Sequence, residues 1–547
     1  MGKAKNVLFI MCDQLRWDYL SCAGHPTLKT PNIDGLARRG VRFTRAYVQS
    51  PICGPSRMST YTGRYMNSHG SNWNGIPLKV GEMTMGDYYR PLGVRTALVG
   101  KTHMTADIEG MKRLGVDPKS IIGVRVSECG FEPYERDDGL HTLGPEGGYV
   151  KDHPPRYNKY LNDKGYPGDN PWHDWANAAQ GENNQLASGW AMRHARKPAR
   201  VREEDSETPY MTRRGIDFIR EAGSTPWCLH LSYIKPHWPY IAPAPYNTMY
   251  SAADIIPAVR SDEERNNPHP VIKAFHDYLI SRSFSREEVR EEVIPVYMGL
   301  IKQIDDQMGV LFRFLENNGY FENTMIVFTS DHGDYLGDHW LGEKELFHEP
   351  SVKVPLIIYD PSDASNATRG TTCDELVEAI DLAPTFFQVF GGDPAQQSHR
   401  MEGRSLVPLL LGQKPANWRR YVMSEYDYSI QYGDAFDTAP ADQRLFMVAD
   451  KEWKYVHAIG YRPMLFDLKN DPQELRDLGG DPAYDDVCKR YHALLAEWSL
   501  RSAQRETRSE QQIRNMRGKA GKRGVLIGVW DESDVPDEYW SGYLNDR

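Results

Sequence analysis

The sequence predicts an α/β fold, and three patterns carry that expectation. Short, nearly continuous apolar runs at 6–11, 94–100, 226–233, 325–329 and 354–359 read as strands buried on both faces, the habit of parallel sheets. Helix patterns lie between them, the longest an amphipathic stretch at 287–318. After about residue 415 the texture changes: 445–449 and 454–457 alternate or run apolar with short links, as antiparallel strands do.

A chain of 547 residues exceeds one small core, so more than one domain is expected: 1–415, an antiparallel-sheet subdomain over 416–502, and a tail over 503–547. The formal charge of −10 argues against nucleic acid as partner, so an anionic substrate has to be captured by a local cationic pocket. No run of eighteen apolar residues occurs and mean hydropathy is −0.62, so no membrane span is expected. The first apolar run, 7–11, is too short for a leader and lacks a small-residue cleavage site; it reads as a first strand and places the protein in the cytoplasm. Seven scattered cysteines without a CxxC pair exclude a disulfide framework and a zinc site by spacing.

Taken in order, the first strand runs into Cys12-Asp13-Gln14. Asp13 and Gln14 then stand at the carboxyl edge of a sheet, as oxygen ligands to a metal or as a helix cap. Thr30 caps a helix with Pro31 at its first position, and 41–48 reads as a strand leading to Cys53. Cys53-Gly54-Pro55-Ser56-Arg57 is either a reactive stretch or one holding a buried core thiol. Asn74 lies in an Asn-Trp-Asn-Gly turn and is a candidate hydrogen-bonding group. The strand at 94–100 ends in Gly100-Lys101-Thr102-His103, where alternation puts Lys101 and His103 on one side of an extended segment. From 105 to 215 periodicity is weak and long loops with short helices are expected over the sheet, shaping the leaving-group side of the pocket. Two prolines pin the loop Lys235-Pro236-His237-Trp238-Pro239. The helix at 287–318 has a candidate break at Pro295 and is closed by Gly319. Asp331 and His332 stand just past the strand at 325–329. A helix covers 485–502, and the apolar patch at 525–530 reads as an arm on a partner subunit, giving a homo-oligomer, a dimer or tetramer.

The Cys-x-Pro-Ser-Arg of residues 53–57 resembles the sulfatase signature, whose Cys is oxidised to formylglycine; Thr60 and Tyr61 stand where its tail has leucines, while Thr62-Gly63-Arg64 is kept. The 30–40 helix, Gly100-Lys101-Thr102-His103, Phe328-Thr329-Ser330-Asp331-His332-Gly333, Asp381-Leu382-Ala383-Pro384-Thr385 and Leu465-Phe466-Asp467-Leu468 also resemble elements of that family, in its order, over most of 6–480. The chain is thereby identified as similar to the sulfatase branch of the alkaline phosphatase superfamily, and in part to its phosphonate monoester hydrolases. The resemblance implies a large, mostly parallel sheet sandwiched by helices, followed by a smaller C-terminal α+β domain. The helix after Cys53 would begin near Ser56.

What the resemblance implies for the site is specific. Asp13, Gln14, Cys53, Asp331 and His332 would hold one divalent metal. Cys53 would become formylglycine through a formylglycine-generating enzyme. Arg57, Lys101 and Lys344 would hold the ester oxygens, and His237 and His103 would move protons at the leaving group and at the hydrated aldehyde. Typical sulfatases have Asp at position 14 and Asn at position 332. Gln14 and His332 resemble the phosphonate hydrolases; an all-oxygen site suits calcium, whereas one imidazole admits manganese or zinc more readily, and calcium or manganese is expected. Lys101 and His103 lean toward sulfate. The implied activity is hydrolysis of sulfate monoesters, as an arylsulfatase, through a covalent sulfo-enzyme intermediate, with promiscuity toward phosphonate monoesters and phosphodiesters. The alternatives are a main activity on the phosphorus esters, or a non-catalytic metal-binding relative with an unmodified Cys53.

Overall fold

The computed structural model describes residues 4–139, 155–501, 507–516 and 519–540. Its centre is an eight-stranded sheet in the order Thr371–Cys373, Val41–Phe43, Leu356–Tyr359, Thr324–Ser330, Asn6–Asp13, Trp227–Pro236, Arg95–Gly100 and Glu132–Arg136. Neighbours run parallel except at Leu356–Tyr359, which opposes both of its partners. The apolar run of the first strand explains why. Val7, Phe9 and Met11 enter the core on one face, and Leu8, Ile10 and Cys12 enter the core on the other. A strand wetted on neither side needs helices on both. Glu207–Ala222 and Glu287–Asn317 cover one face; Cys53–Thr62 and Leu382–Val389 cover the other.

Register places the chemistry. Cys12 pairs with Ser330 on one side and Tyr233 on the other, and Gly100 pairs with Ser232. Four adjacent parallel strands therefore end level, and Asp13, Asp331, Lys101 and His237 emerge at one edge. Gly100 makes the close approach possible. Its φ is +106°, and a Cβ there would sit 1.9 Å from the carbonyl oxygen of Ser232.

Four local expectations are corrected. The 41–48 strand is two: Val41–Phe43 joins the large sheet, whereas Ala46–Tyr47 pairs with Val377–Glu378 in a separate ribbon. The helix after Cys53 begins at Cys53 itself. The helix Glu287–Asn317 runs unbroken through Pro295, whose neighbours Val293, Ile294, Val296 and Tyr297 are fully buried, so packing outweighs the missing N–H. The stretch 105–215 is not only loop: Glu132–Arg136 extends the sheet, and the sixteen-residue helix Glu207–Ala222 starts within it. Residues 140–154 of that stretch lie outside the described residues, as do 502–506, 517–518 and 541–547 of the tail.

The C-terminal sheet is antiparallel, Val422–Asp427, Arg444–Ala449, Trp453–Ala458 and Met464–Asp467 in that order. Alternation splits its side chains. Met423, Val448, Tyr455 and Leu465 pack under the helix Asp485–Arg501 with Tyr491 and Leu495, while Leu445, Met447 and Val456 join the core of the large sheet. In the tail, Ile527 and Trp530 are 90% and 95% exposed. Among the described residues no helix is long and apolar enough to cross a membrane.

Where the two sheets meet, Glu425 is buried and accepts a hydrogen bond from the Asn67 N–H. Burial pushes its carboxyl up from 4.5 to about 8. The folded state then holds this proton more tightly than the unfolded chain does, so the stability it contributes is full below about pH 4.5 and is lost as pH rises through about 8. Glu425→Gln should therefore match the wild type in thermal stability near pH 4.5 and exceed it at pH 8; melting temperatures across that range check this, and a pH-independent difference would refute it.

Candidate active site

The site is built around a buried guanidinium. Arg57 lies on the second turn of the helix Cys53–Thr62 and is fully buried. Its Nε donates to Asp331 Oδ2 at 2.7 Å, one Nη to Asp13 Oδ2 at 3.3 Å, and the other Nη to the Lys101 carbonyl and Ser232 Oγ, both at 2.8 Å. Arg57 stands behind the carboxylates and positions them. The sequence reading placed it instead against the ester oxygens.

In front of it four donors converge. Asp13, Cys53, Asp331 and His332 each offer an atom, all within 4.8 Å of one another and all buried. His332 Nε2 lies 3.0 Å from Cys53 Sγ, 3.6 Å from Asp13 Oδ1 and 3.8 Å from Asp331 Oδ1. Its Nδ1 is 2.9 Å from the Gly333 carbonyl, which fixes a proton on Nδ1 and turns the Nε2 lone pair toward the cluster. Burial opposes charge on this ring, yet Asp331 and Cys53 outweigh burial and push it up to about 9. An imidazole driven to take up a proton marks a place short of positive charge. Two carboxylates, an imidazole nitrogen and a cysteine-derived group fit a divalent cation, and the nitrogen suits manganese as well as the harder ions.

Gln14 is the next oxygen, and its orientation is set. Its φ is +66°, its backbone N–H donates to Asp331 Oδ1 at 3.1 Å, and its side-chain Nε2 donates to Asp334 Oδ2 at 2.5 Å. Asp334 also accepts from the Tyr240 hydroxyl at 2.7 Å and from the Leu336 N–H at 2.9 Å. Burial raises Asp334 to about 6 against these donors, so it is ionised at neutral pH and holds the amide nitrogen. Gln14 Oε1 is thereby turned the other way, 3.2 Å from Lys344 Nζ. The sequence reading missed Asp334, although it lies three residues past Asp331.

Two lysines complete the charge. Lys101 Nζ pairs with Asp13 Oδ2, and both are buried. Burial opposes ionisation of the Cys53 thiol, but Lys101, Lys344 and His332 drive it well below the ordinary value, with a hydrogen bond from His103. His103 reaches Cys53 by a different route from the one expected. The chain is not extended after Lys101; the Thr102 and His103 N–H groups both donate to Asp138 Oδ1, at 2.9 and 3.0 Å, and His103 takes φ +56°. Lys344 Nζ lies 3.4 Å from His237 Nε2 and 3.1 Å from Glu343 Oε1. His237 also hydrogen-bonds Cys53, and burial lowers its pKa from 6.5. Asn74 Oδ1 accepts the Gly54 N–H at 2.8 Å in the first turn of the Cys53 helix.

Comparison with known proteins follows the same lines. The family described as Sulfatase matches residues 5–392, and that described as N-sulphoglucosamine sulphohydrolase, C-terminal, matches 337–501. The chain is 32% identical to the multifunctional alkaline phosphatase superfamily protein PehA of Trinickia caryophylli, over 92% of this chain and 96% of that one. It is 28% identical to an arylsulfatase of Clostridium perfringens, over 90% and 93%. Among solved structures, the phosphonate monoester hydrolases of Silicibacter pomeroyi and Agrobacterium radiobacter superpose with TM-scores of 0.77 and 0.76. Identities are 28% and 30%, covering 91% and 90% of this chain and 95% of each of theirs.

The Asp334–Gln14 contact generates a prediction. Asp334→Ala should free the Gln14 amide to rotate and weaken divalent-metal binding by roughly 10- to 100-fold, the usual cost of losing an outer partner of a ligand. Chelator competition on the purified protein measures it. Unchanged metal affinity would show that the carboxylate does not orient the amide.

Proposed function

This chain belongs to the sulfatase family, and on that premise we propose that it is a metal-dependent hydrolase, carrying formylglycine at position 53, whose main substrates are phosphonate monoesters and phosphodiesters. The observation that carries the reading is the buried Asp13–Cys53–Asp331–His332 cluster beside Gln14. Its His and Gln are the pair by which the sequence resembles the phosphonate hydrolases. The two solved phosphonate monoester hydrolases, each matched over nearly its full length, support the same choice, and the multifunctional PehA fits a site that takes more than one ester.

A divalent cation held by Asp13, Asp331, His332 and Gln14 supplies Lewis acidity toward the attacking and non-bridging oxygens. The hydrated aldehyde of formylglycine supplies two hydroxyls, one to attack and one to release the product. The remaining chemistry belongs to the chain. Arg57 holds Asp13 and Asp331 in place through its paired N–H groups. Lys101 and Lys344, both facing Cys53, draw in a singly charged ester and offset charge as it builds on the oxygens. Against burial, Asp13 raises the pKa of Lys101, and Glu343 with Asp13 raises that of Lys344, so both carry charge. Lys344 therefore stabilises the departing oxygen as a cation, and His237 orients it from 3.4 Å. His103, hydrogen-bonded to residue 53, is placed to take the proton that lets the second hydroxyl expel the product. Cys53 is only 1% exposed, so its modifying enzyme acts on the chain before the fold closes.

Sulfate monoesters are the second reading, favoured by Lys101 and His103. Sulfate monoesters, phosphonate monoesters and phosphodiesters all carry one negative charge, so the field of the site admits each. Measured on esters sharing one phenol, kcat/KM should be higher for the phosphonate than for the sulfate; the reverse order makes the chain an arylsulfatase. Cys53→Ser should retain attack but lose release, cutting turnover by roughly 10²–10⁴-fold, the range of a positioned proton-transfer step. Intact mass should show the trapped ester on Ser; normal turnover would refute the two-hydroxyl scheme. The peptide containing residue 53 should weigh as the aldehyde, whereas an unmodified thiol there would mark a non-catalytic relative.

A further inference from the structure

We propose that Trp190 and Trp238 form the wall against which a planar aromatic leaving group stacks, so that the preferred substrates are aryl esters. The inference rests on the function proposed above and deepens it. Trp238 follows His237, and the two rings stack with centroids 4.6 Å apart and an interplanar angle of 28°. Its indole N–H donates to Glu343 Oε1 at 2.9 Å, and Glu343 pairs with Lys344. One side of Trp238 is thus fixed to the two groups that meet the departing oxygen.

Trp190 stands one ring further out, edge to face with Trp238 at 5.1 Å and 72°. It is 36% exposed, unusual for a residue whose neighbours Trp172 and Trp238 are wholly or partly buried. Its position is built. Gly189 lies so close to the Asn177 carbonyl that a Cβ would sit 2.0 Å from the oxygen. Asn177 Oδ1 in turn accepts from Lys235 Nζ at 2.7 Å, and the same ammonium donates to the Pro239 carbonyl at 3.1 Å. Lys235 therefore ties the segment that carries Trp190 to the loop that carries His237 and Trp238. Both indole N–H groups already have partners, Glu343 for Trp238 and His173 for Trp190. What the wall offers a substrate is carbon surface, which suits an aromatic ring better than a sugar, whose hydroxyls need partners.

The test compares two phosphonate esters of one acid, one with a phenol and one with a fluorinated alkanol of matched acidity, on the holoenzyme. Trp190→Ala should lower kcat/KM for the phenyl ester by roughly 2- to 12-fold, the value of one aromatic contact, and leave the alkyl ester unchanged. Trp190→Phe should recover most of the loss. An equal loss on both esters, or no loss on either, overturns the wall while the hydrolase reading stands. A wild type that cleaves neither ester overturns the hydrolase reading and the wall with it.

Discussion

The buried guanidinium of Arg57 is the constraint on which the rest of the structure hangs. Its contacts reach Asp331, Asp13, Ser232 and Lys101, which lie at the ends of four consecutive strands of the central sheet. One side chain therefore fixes the level at which those strands stop. A cation taken out of water is costly unless every donor is paired, and losing one partner of such a pair costs about 3–5 kcal/mol. The arrangement is self-enforcing: Arg57 needs the two carboxylates to be buried at all, and they take its N–H groups in return. The helix that carries Arg57 also carries Cys53 at its first position, so the same contact sets the distance between the reactive atom and its metal ligands.

Electrostatics explains why so polar a centre survives inside an apolar sandwich. Asp13, Asp331, Asp334 and Glu343 stand against Arg57, Lys101 and Lys344, four acids to three permanent cations. A thiolate at position 53 deepens the deficit, and Asp331 and Cys53 together push His332 up to about 9 against burial. A divalent cation held by Asp13, Asp331 and His332 would answer the same deficit, with the imidazole neutral to ligate it.

Much of this was legible in the sequence, for a physical reason. A strand buried on both faces must be an apolar run, and a parallel sheet must put its functional residues past the ends of those runs; Asp13, Lys101, His237, Asp331 and His332 all obey this. What stayed hidden depends on where side chains point. Arg57 reads as a substrate cation in any linear pattern, and only its four buried partners show that it faces backwards. Alternation placed Lys101 and His103 together on the assumption of an extended chain, whereas Asp138 bends the chain and His103 arrives through a left-handed turn. The split of 41–48 is of the same kind: its residues suit a strand throughout, but two different partner strands compete for them. Trp190 lay in the stretch of weakest periodicity, where composition alone cannot say which tryptophan is core and which is wall.

The pairing of Gln14 with Asp334 bears on what such a site can cleave. Where the family pattern has a second aspartate, this chain has a neutral amide, and a carboxylate stands behind it at 2.5 Å from the amide nitrogen. The negative charge is moved outward by one residue rather than removed. An ion held by Asp13, Asp331, His332 and Gln14 would meet two carboxylates and two neutral groups, and would keep more of its positive charge for the substrate. The displaced charge on Asp334 is absorbed by the Gln14 amide, the Tyr240 hydroxyl and a backbone N–H, so it does not repel an incoming anion at full strength. A centre of this kind discriminates weakly between sulfur and phosphorus in a singly charged ester, because the charge it answers is the same. Selectivity then falls to the groups that meet the rest of the molecule, which in this fold are carried by the His237 loop and by the segment that Lys235 ties to it.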